Sequence, residues 1–308
     1  SIAITVGAGN ANTGGAVTIT AGESTHAAAH RGGAMTITAG QGRATTQGGG
    51  MLDLAGGVGT TDTGGTITMR SGSGTATSSG SVMIRSVNAG VAGISGMLVF
   101  SSGTSNSGNS GSISIGSGTT TARGAGGVVS ITVGSGSKNA GGKLSIVAGT
   151  STDATTVATG QGGSIDMTAG SGKGATGGAI SMIGGSGTLR TSGSIVILTR
   201  NAGGDGISGK LVFSSGTSSK GNSGAVSIGS GKAAKGAGGV ISITVGSGNK
   251  NAGGKLSIVS GSSTDTAIDA TGQGGSIDMT AGSGAGATGG AISMIGGSGT
   301  ASTSGSIV

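Results

Sequence analysis

The two histidines of the chain, His26 and His30, lie four residues apart in the segment HAAAH. Imidazole is a common metal ligand, and on a helix this spacing would place both rings on one face. No helical pattern surrounds the pair, and only Glu23 is near enough in sequence to be a third ligand. We therefore interpret the segment as a solvated loop, and we predict no metal site.

Catalytic and cofactor-binding patterns are also missing. Because no histidine lies near the later repeats, a Ser-His-Asp site cannot recur with them. The pattern GxGxxG occurs at 172–177 and 284–289, but glycine is a quarter of the chain and no helix-forming segment follows. The absence of cysteine excludes thiolate metal sites and disulfides. We predict that the protein is not an enzyme, has no catalytic residue and binds no cofactor.

Three aspartates occupy matching positions between the two large apolar residues of similar segments: Asp53, Asp166 and Asp278. A calcium-binding β-roll needs an acidic residue in every repeat, and nine acidic residues in total are too few. We expect the three carboxylates to face outward. They are either solvated or salt-bridged strand positions, or they contact a neighbouring molecule or a bound cation.

The net charge of +7 comes mainly from lysine and arginine in polar segments between the apolar ones: Arg43, Arg123, Lys138, Lys173, Arg190, Lys220, Lys232, Lys235 and Lys250. Aromatic side chains that could stack on bases are almost absent, so we predict no nucleic-acid binding. The charges either serve solubility or meet an acidic polysaccharide, a mineral or an acidic sister molecule.

A short pattern organises the whole chain: a small residue, a large apolar residue, a polar residue, a second large apolar residue, and often a glycine soon afterwards. We call each occurrence a row and index it by an apolar residue: Ile4, Val17, Met35, Leu52, Ile67, Val82, Leu98, Ile113, Ile131, Leu144, Ile165, Ile180, Ile195, Leu211, Val226, Ile243, Leu256, Ile277, Ile292 and Ile307. Alternation of period two predicts strands, and no segment has the helical period. Because the intervening segments are too long for hairpin loops, the pattern predicts an all-β fold, a parallel β-solenoid of about 20 coils with about 16 residues each and no helices.

A longer repeat of about seven rows divides the chain into super-repeats at 1–93, 94–206 and 207–308. Residues 160–188 return at 272–300 with one change, Lys173 to Ala285. We predict one continuous solenoid over 1–308, and we expect this sequence to be a segment of a longer array. No apolar run is long enough for a transmembrane helix.

Some rows place apolar residues at outward positions that are Ser, Thr or Asp elsewhere: Met83, Val99, Val196, Leu198 and Val212. Either a loop of the same chain covers them, or they form an exposed band that recurs with the super-repeat. We predict the second, with neighbouring molecules meeting there in register by whole super-repeats.

The segments GISGMLVFSSGTS from Gly93 and GISGKLVFSSGTS from Gly206, together with the GGSISIT style of the rows, resemble Gly/Ser/Thr-rich tandem-repeat proteins of diatoms and other silica- or wall-building eukaryotes. They are more loosely similar to the β-solenoid shafts of bacterial adhesins. The resemblance implies an extracellular, fibrous and mineral-associated role. From the repeats and the missing catalytic groups we predict a self-associating structural protein of an extracellular filament or lattice. The alternatives are an organic template for silica or another mineral, and a flat-surface binding module, either ice-binding or an adhesin shaft.

Overall fold

The computed structural model describes residues 2–9, 14–26, 31–43, 48–121, 123–138, 140–152, 160–203, 206–249, 252–265, 272–299 and 303–307. Within these ranges the backbone forms no α-helix and no β-strand. The chain divides into two units, Ser1–Val147 and Ala148–Val308. Their boundary falls inside the super-repeat predicted at 94–206, and the three predicted super-repeat ranges stay a prediction.

In both units the described rows run without a turn or a sharp bend, and the chain bends sharply in the loops between them. The row at 195–198 shows the period of two that an extended backbone produces. Its successive side chains are 51%, 72%, 48% and 68% exposed. Alternating apolar and polar residues, many of them β-branched, favour this local conformation, while glycine at the row ends allows the chain to turn.

Many of the described loops are closed by a hydrogen bond at the base, where the chain leaves one row and enters the next. We call this base the neck. In unit Ser1–Val147 a glycine N–H donates to the carbonyl of an earlier glycine at Gly33–Gly22, Gly50–Gly40, Gly65–Gly57, Gly80–Gly72 and Gly142–Gly134, over 2.7–3.0 Å. In unit Ala148–Val308 the same bond joins Gly163–Gly149, Gly178–Gly170, Gly193–Gly185, Gly254–Gly246, Gly275–Gly261, Gly290–Gly282 and Gly305–Gly297, over 2.8–3.0 Å. The row-to-row connection is therefore held by the loop base.

Two necks show why glycine is needed there. A Cβ at Gly142 would lie 2.5 Å from Cγ1 of Val133, and a Cβ at Gly254 would lie 2.5 Å from Cγ1 of Val245. Real Cβ atoms do not approach another carbon so closely, so a larger residue would require the valine side chain or the neck to shift.

Two other loops are closed by a hydroxyl that donates to the carbonyl of the later glycine. The Ser117 hydroxyl donates to the carbonyl of Gly127 over 2.8 Å, and the Thr199 hydroxyl donates to the carbonyl of Gly209 over 3.1 Å. A short side-chain donor can close a loop in place of a backbone N–H.

Similar loop sequences adopt similar conformations in the two units. Gly103 and Gly216 both have a positive φ, of 79° and 75°, in the motif SSGTS. The next glycine of each loop donates its N–H to the serine three residues earlier, Gly108 to Ser105 and Gly221 to Ser218. Local sequence thus determines loop geometry.

No side chain of the described residues is buried, and neither unit has a hydrophobic core. The described backbone–backbone hydrogen bonds lie at necks, apart from one short loop contact between Gly206 and Gly203, and none joins one row to another. The prediction of an all-β parallel β-solenoid of about 20 coils is therefore wrong. A solenoid coil must cover its bulky side chains with a second layer, and the Gly/Ser/Ala loops supply almost no side chains for it. Ordering such glycine-rich segments also costs more backbone entropy than ordering other residues.

Candidate self-association surface

The rows expose their large apolar side chains in both units. The first large apolar residue of a typical row is about half exposed, as Ile165 and Ile277 are at 53%, and the second is usually more exposed. We call these exposed row side chains, together with the row backbone, the row surface. Large exposed apolar surface of this kind is typical of interaction sites.

The row backbone belongs to this surface because its polar groups are unpaired within the described residues. Only the row ends take part in neck hydrogen bonds. A row such as 179–183 therefore offers its N–H and C=O groups to water or to another chain, as an edge strand does.

The five residues predicted to form an outward apolar band are all exposed. Met83 and Val99 lie in one unit at 73% and 63%, and Val196, Leu198 and Val212 lie in the other. In the row at 82–84, Met83 is more exposed than both of its neighbours, and the same holds for Val196. The band stays a prediction, because apolar residues of ordinary rows are exposed as well.

Two of the predicted acidic positions make the same local contact. The Ser164 hydroxyl donates to Oδ2 of Asp166 over 3.0 Å, and the Ser276 hydroxyl donates to Oδ2 of Asp278 over 2.8 Å. Residues two apart lie on one side of an extended chain, so this contact follows from the motif SID itself. Asp53 has Met51 at the corresponding position and therefore lacks this hydroxyl neighbour.

Metal-ligating side chains do not converge in the described ranges, where no group of three or more His, Asp or Glu residues could hold an ion. His26 is exposed, and His30 lies outside the described residues. The pair in HAAAH therefore remains a prediction of a solvated loop.

Sequence reasoning did not find two open hollows at equivalent places in the two units. One is lined by residues 85–88 and has a volume of about 170 Å³, and the other is lined by residues 198–201 and has about 390 Å³. The recurring VNAG and RNAGG segments were the available signal. Because four consecutive residues line each hollow, neither encloses a ligand as a built pocket does.

Cationic side chains lie at or beside the sharp bends of several loops, away from the necks. They are Arg123, Lys138, Lys173, Arg190, Lys220 and Lys235, and all are exposed. A positive charge at a loop bend can reach an anionic partner while the row stays unobstructed.

The described residues include no helix with the length and apolar character needed to cross a membrane. Comparison of the chain with protein-family models, with characterised proteins and with solved structures finds no match.

Proposed function

We propose that this chain is a structural repeat protein that associates with copies of itself into extracellular filaments or a lattice. The observation that carries the proposal is the amount of uncovered surface. The accessible surface is 29874 Å², whereas a compact protein of this mass exposes about 11,000 Å². The hydrophobic effect favours removing such apolar surface from water, and this chain does not remove it by folding on itself.

A partner whose own surface repeats along its length fits this surface better than a small ligand does. The uncovered residues recur row after row, and no described hollow is enclosed. Stable protein interfaces bury about 1,200–2,000 Å², so a few rows from each molecule supply enough area. The extracellular location is part of the proposal and rests on the resemblance to wall-building repeat proteins.

The proposal is tested by sedimentation and electron microscopy of the purified chain over a range of concentrations. We expect ordered assemblies to appear above a threshold concentration. The variant Val196→Lys with Val212→Lys should raise that threshold at least tenfold, because it introduces charge at two row positions that are exposed and apolar.

The matched control is Val58→Lys with Val91→Lys, which adds the same charge at exposed loop positions. We expect the control to change the threshold by less than about threefold, the scale of a surface substitution. A chain that stays monomeric at all concentrations would contradict the proposed function.

A second candidate is a template for silica or another mineral within such a filament, and the loop cations favour it. Cations placed at loop bends attract anionic mineral precursors without interrupting the row surface. Removing those charges while keeping the rows intact is the change that separates this role from a purely structural one.

A further inference from the structure

The rows lack hydrogen-bond partners along their backbones. Between the necks, the described row residues make no backbone–backbone hydrogen bond, although they carry the alternating apolar and polar residues of strands. An extended segment with free N–H and C=O groups pairs readily with another extended segment. A partner that is itself extended and has the same row length would satisfy these groups and cover the apolar side chains in one step.

The loops restrict which alignment of such a partner is allowed. Neck bonds span 8, 14, 8 and 8 residues in the order Gly134–Gly142, Gly149–Gly163, Gly170–Gly178 and Gly185–Gly193. The same order returns from Gly246–Gly254 to Gly297–Gly305. Reversed, the order is 8, 8, 14 and 8, so an antiparallel partner aligned over the same four loops would set the 14-residue loop against an 8-residue loop. A parallel partner in unshifted register keeps every loop beside its equal. A shift by one super-repeat does not, because the necks at Gly22–Gly33 and Gly40–Gly50 span 11 and 10 residues.

We infer that each row pairs through backbone hydrogen bonds with the same row of a second copy of this chain, parallel and in unshifted register. The inference rests on the proposed function, since it specifies how the copies associate. A second copy is the partner because it alone repeats the order of row and loop lengths along its whole sequence. Parallel pairing by identical segments also buries identical apolar side chains against each other.

The two phenylalanines provide a direct test. Phe100 and Phe213 are the only ones in the chain, and they occupy the same place in successive super-repeats. In assemblies of the wild-type chain carrying ¹³C at the phenylalanine carbonyl, solid-state NMR should measure a carbon–carbon distance of about 4.8 Å. Diluting the labelled chain tenfold into unlabelled chain should abolish this coupling, because the two carbons belong to different molecules.

Proline substitutions test the backbone bonds themselves. Ser181→Pro with Ser293→Pro removes one N–H from each of two equivalent rows, and neither N–H has a partner in the chain alone. We expect the threshold concentration to rise at least tenfold. Ser181→Ala with Ser293→Ala, which keeps both N–H groups, should assemble like wild type.

The outcomes separate the inference from the proposed function. Assemblies in which the labelled carbons lie more than about 7 Å apart, well beyond the strand spacing, would overturn the pairing and leave the structural function standing. Coupling that survives dilution would overturn it as well, because the contact would then lie within one chain. If the wild-type chain forms no assembly, both fail.

Discussion

At the scale of single residues, the repeated sequence offers a natural comparison. Lys173 lies at a loop bend, and the equivalent residue in the otherwise unchanged repeat is Ala285, also at a bend. The loop therefore bends with or without the charge, and a lysine there is not needed for the local structure. Loop cations are thus available for a partner, whereas neck glycines such as Gly142 and Gly254 have a close contact at the Cβ position.

Replacing the loop cations tests the template role. We expect loss of Lys173, Lys220 and Lys235 by substitution with Gln to slow the precipitation of silica from a silicate solution several-fold, because fewer cations attract the anionic oligomers. The control substitutes Gln for the lysines that begin rows, Lys143, Lys210 and Lys255. Turbidity and silica yield are the measurements, and equal slowing in both triple variants would assign the effect to net charge alone.

At the scale of elements, the neck is the unit that the structure repeats. Each neck has a backbone hydrogen bond, and at Gly142 a Cβ would also come too close to Val133. The neck hydrogen bond is exposed to water and contributes about 1 kcal/mol. The rows therefore take their spacing from many weak closures rather than from a shared core.

The contact between Gly142 and Val133 predicts a compensating pair of substitutions. Gly142→Ala should increase the rate of amide hydrogen exchange at residue 142 several-fold, because the added methyl pushes the amide away from the Gly134 carbonyl. In the double variant with Val133→Ala the extra carbon is gone, and we expect exchange to return towards the wild-type rate. Amide exchange is measured by NMR in the wild type, the two single variants and the double variant. The interaction free energy between the two substitutions follows from these four rates, and a value near zero would mean that the two sites are independent.

At the scale of the whole molecule, parallel pairing in register has an electrostatic cost. In such a pair identical residues would lie opposite one another. Each charged row residue would then face the same charge in the next copy, at Lys143, Asp166, Lys210, Lys255 and Asp278. Like charges opposite one another destabilise paired strands. The low charged content of 8% keeps this cost small.

This cost predicts that salt promotes assembly. Screening shortens the electrostatic range from about 30 Å at 0.01 M salt to about 8 Å at 0.15 M. We therefore expect the threshold concentration to fall as salt rises. Light scattering across a salt series measures the threshold.

The variant Asp166→Asn with Asp278→Asn separates local repulsion from total charge. It raises the net charge from +7 to +9, so repulsion by total charge alone would weaken assembly. Pairing in register predicts the opposite, a lower threshold at low salt, because two repulsive contacts per molecule disappear. A higher threshold in this variant would argue against like residues facing each other.

The sequence alone indicated where the chain turns. Glycine allows the bends without help from distant residues, and alternating Ile, Ser and Met, as at Ile180 and Met182, favour an extended backbone through local sterics. The tertiary structure decided whether row backbones pair with one another. The predicted solenoid was wrong because the described rows do not pair. Stacking depends on whether the glycine-rich loops can cover the bulky side chains of the rows, which is a nonlocal balance of burial against entropy that periodicity does not reveal. In the described residues neck hydrogen bonds close many of the loops, and the row backbones stay unpaired.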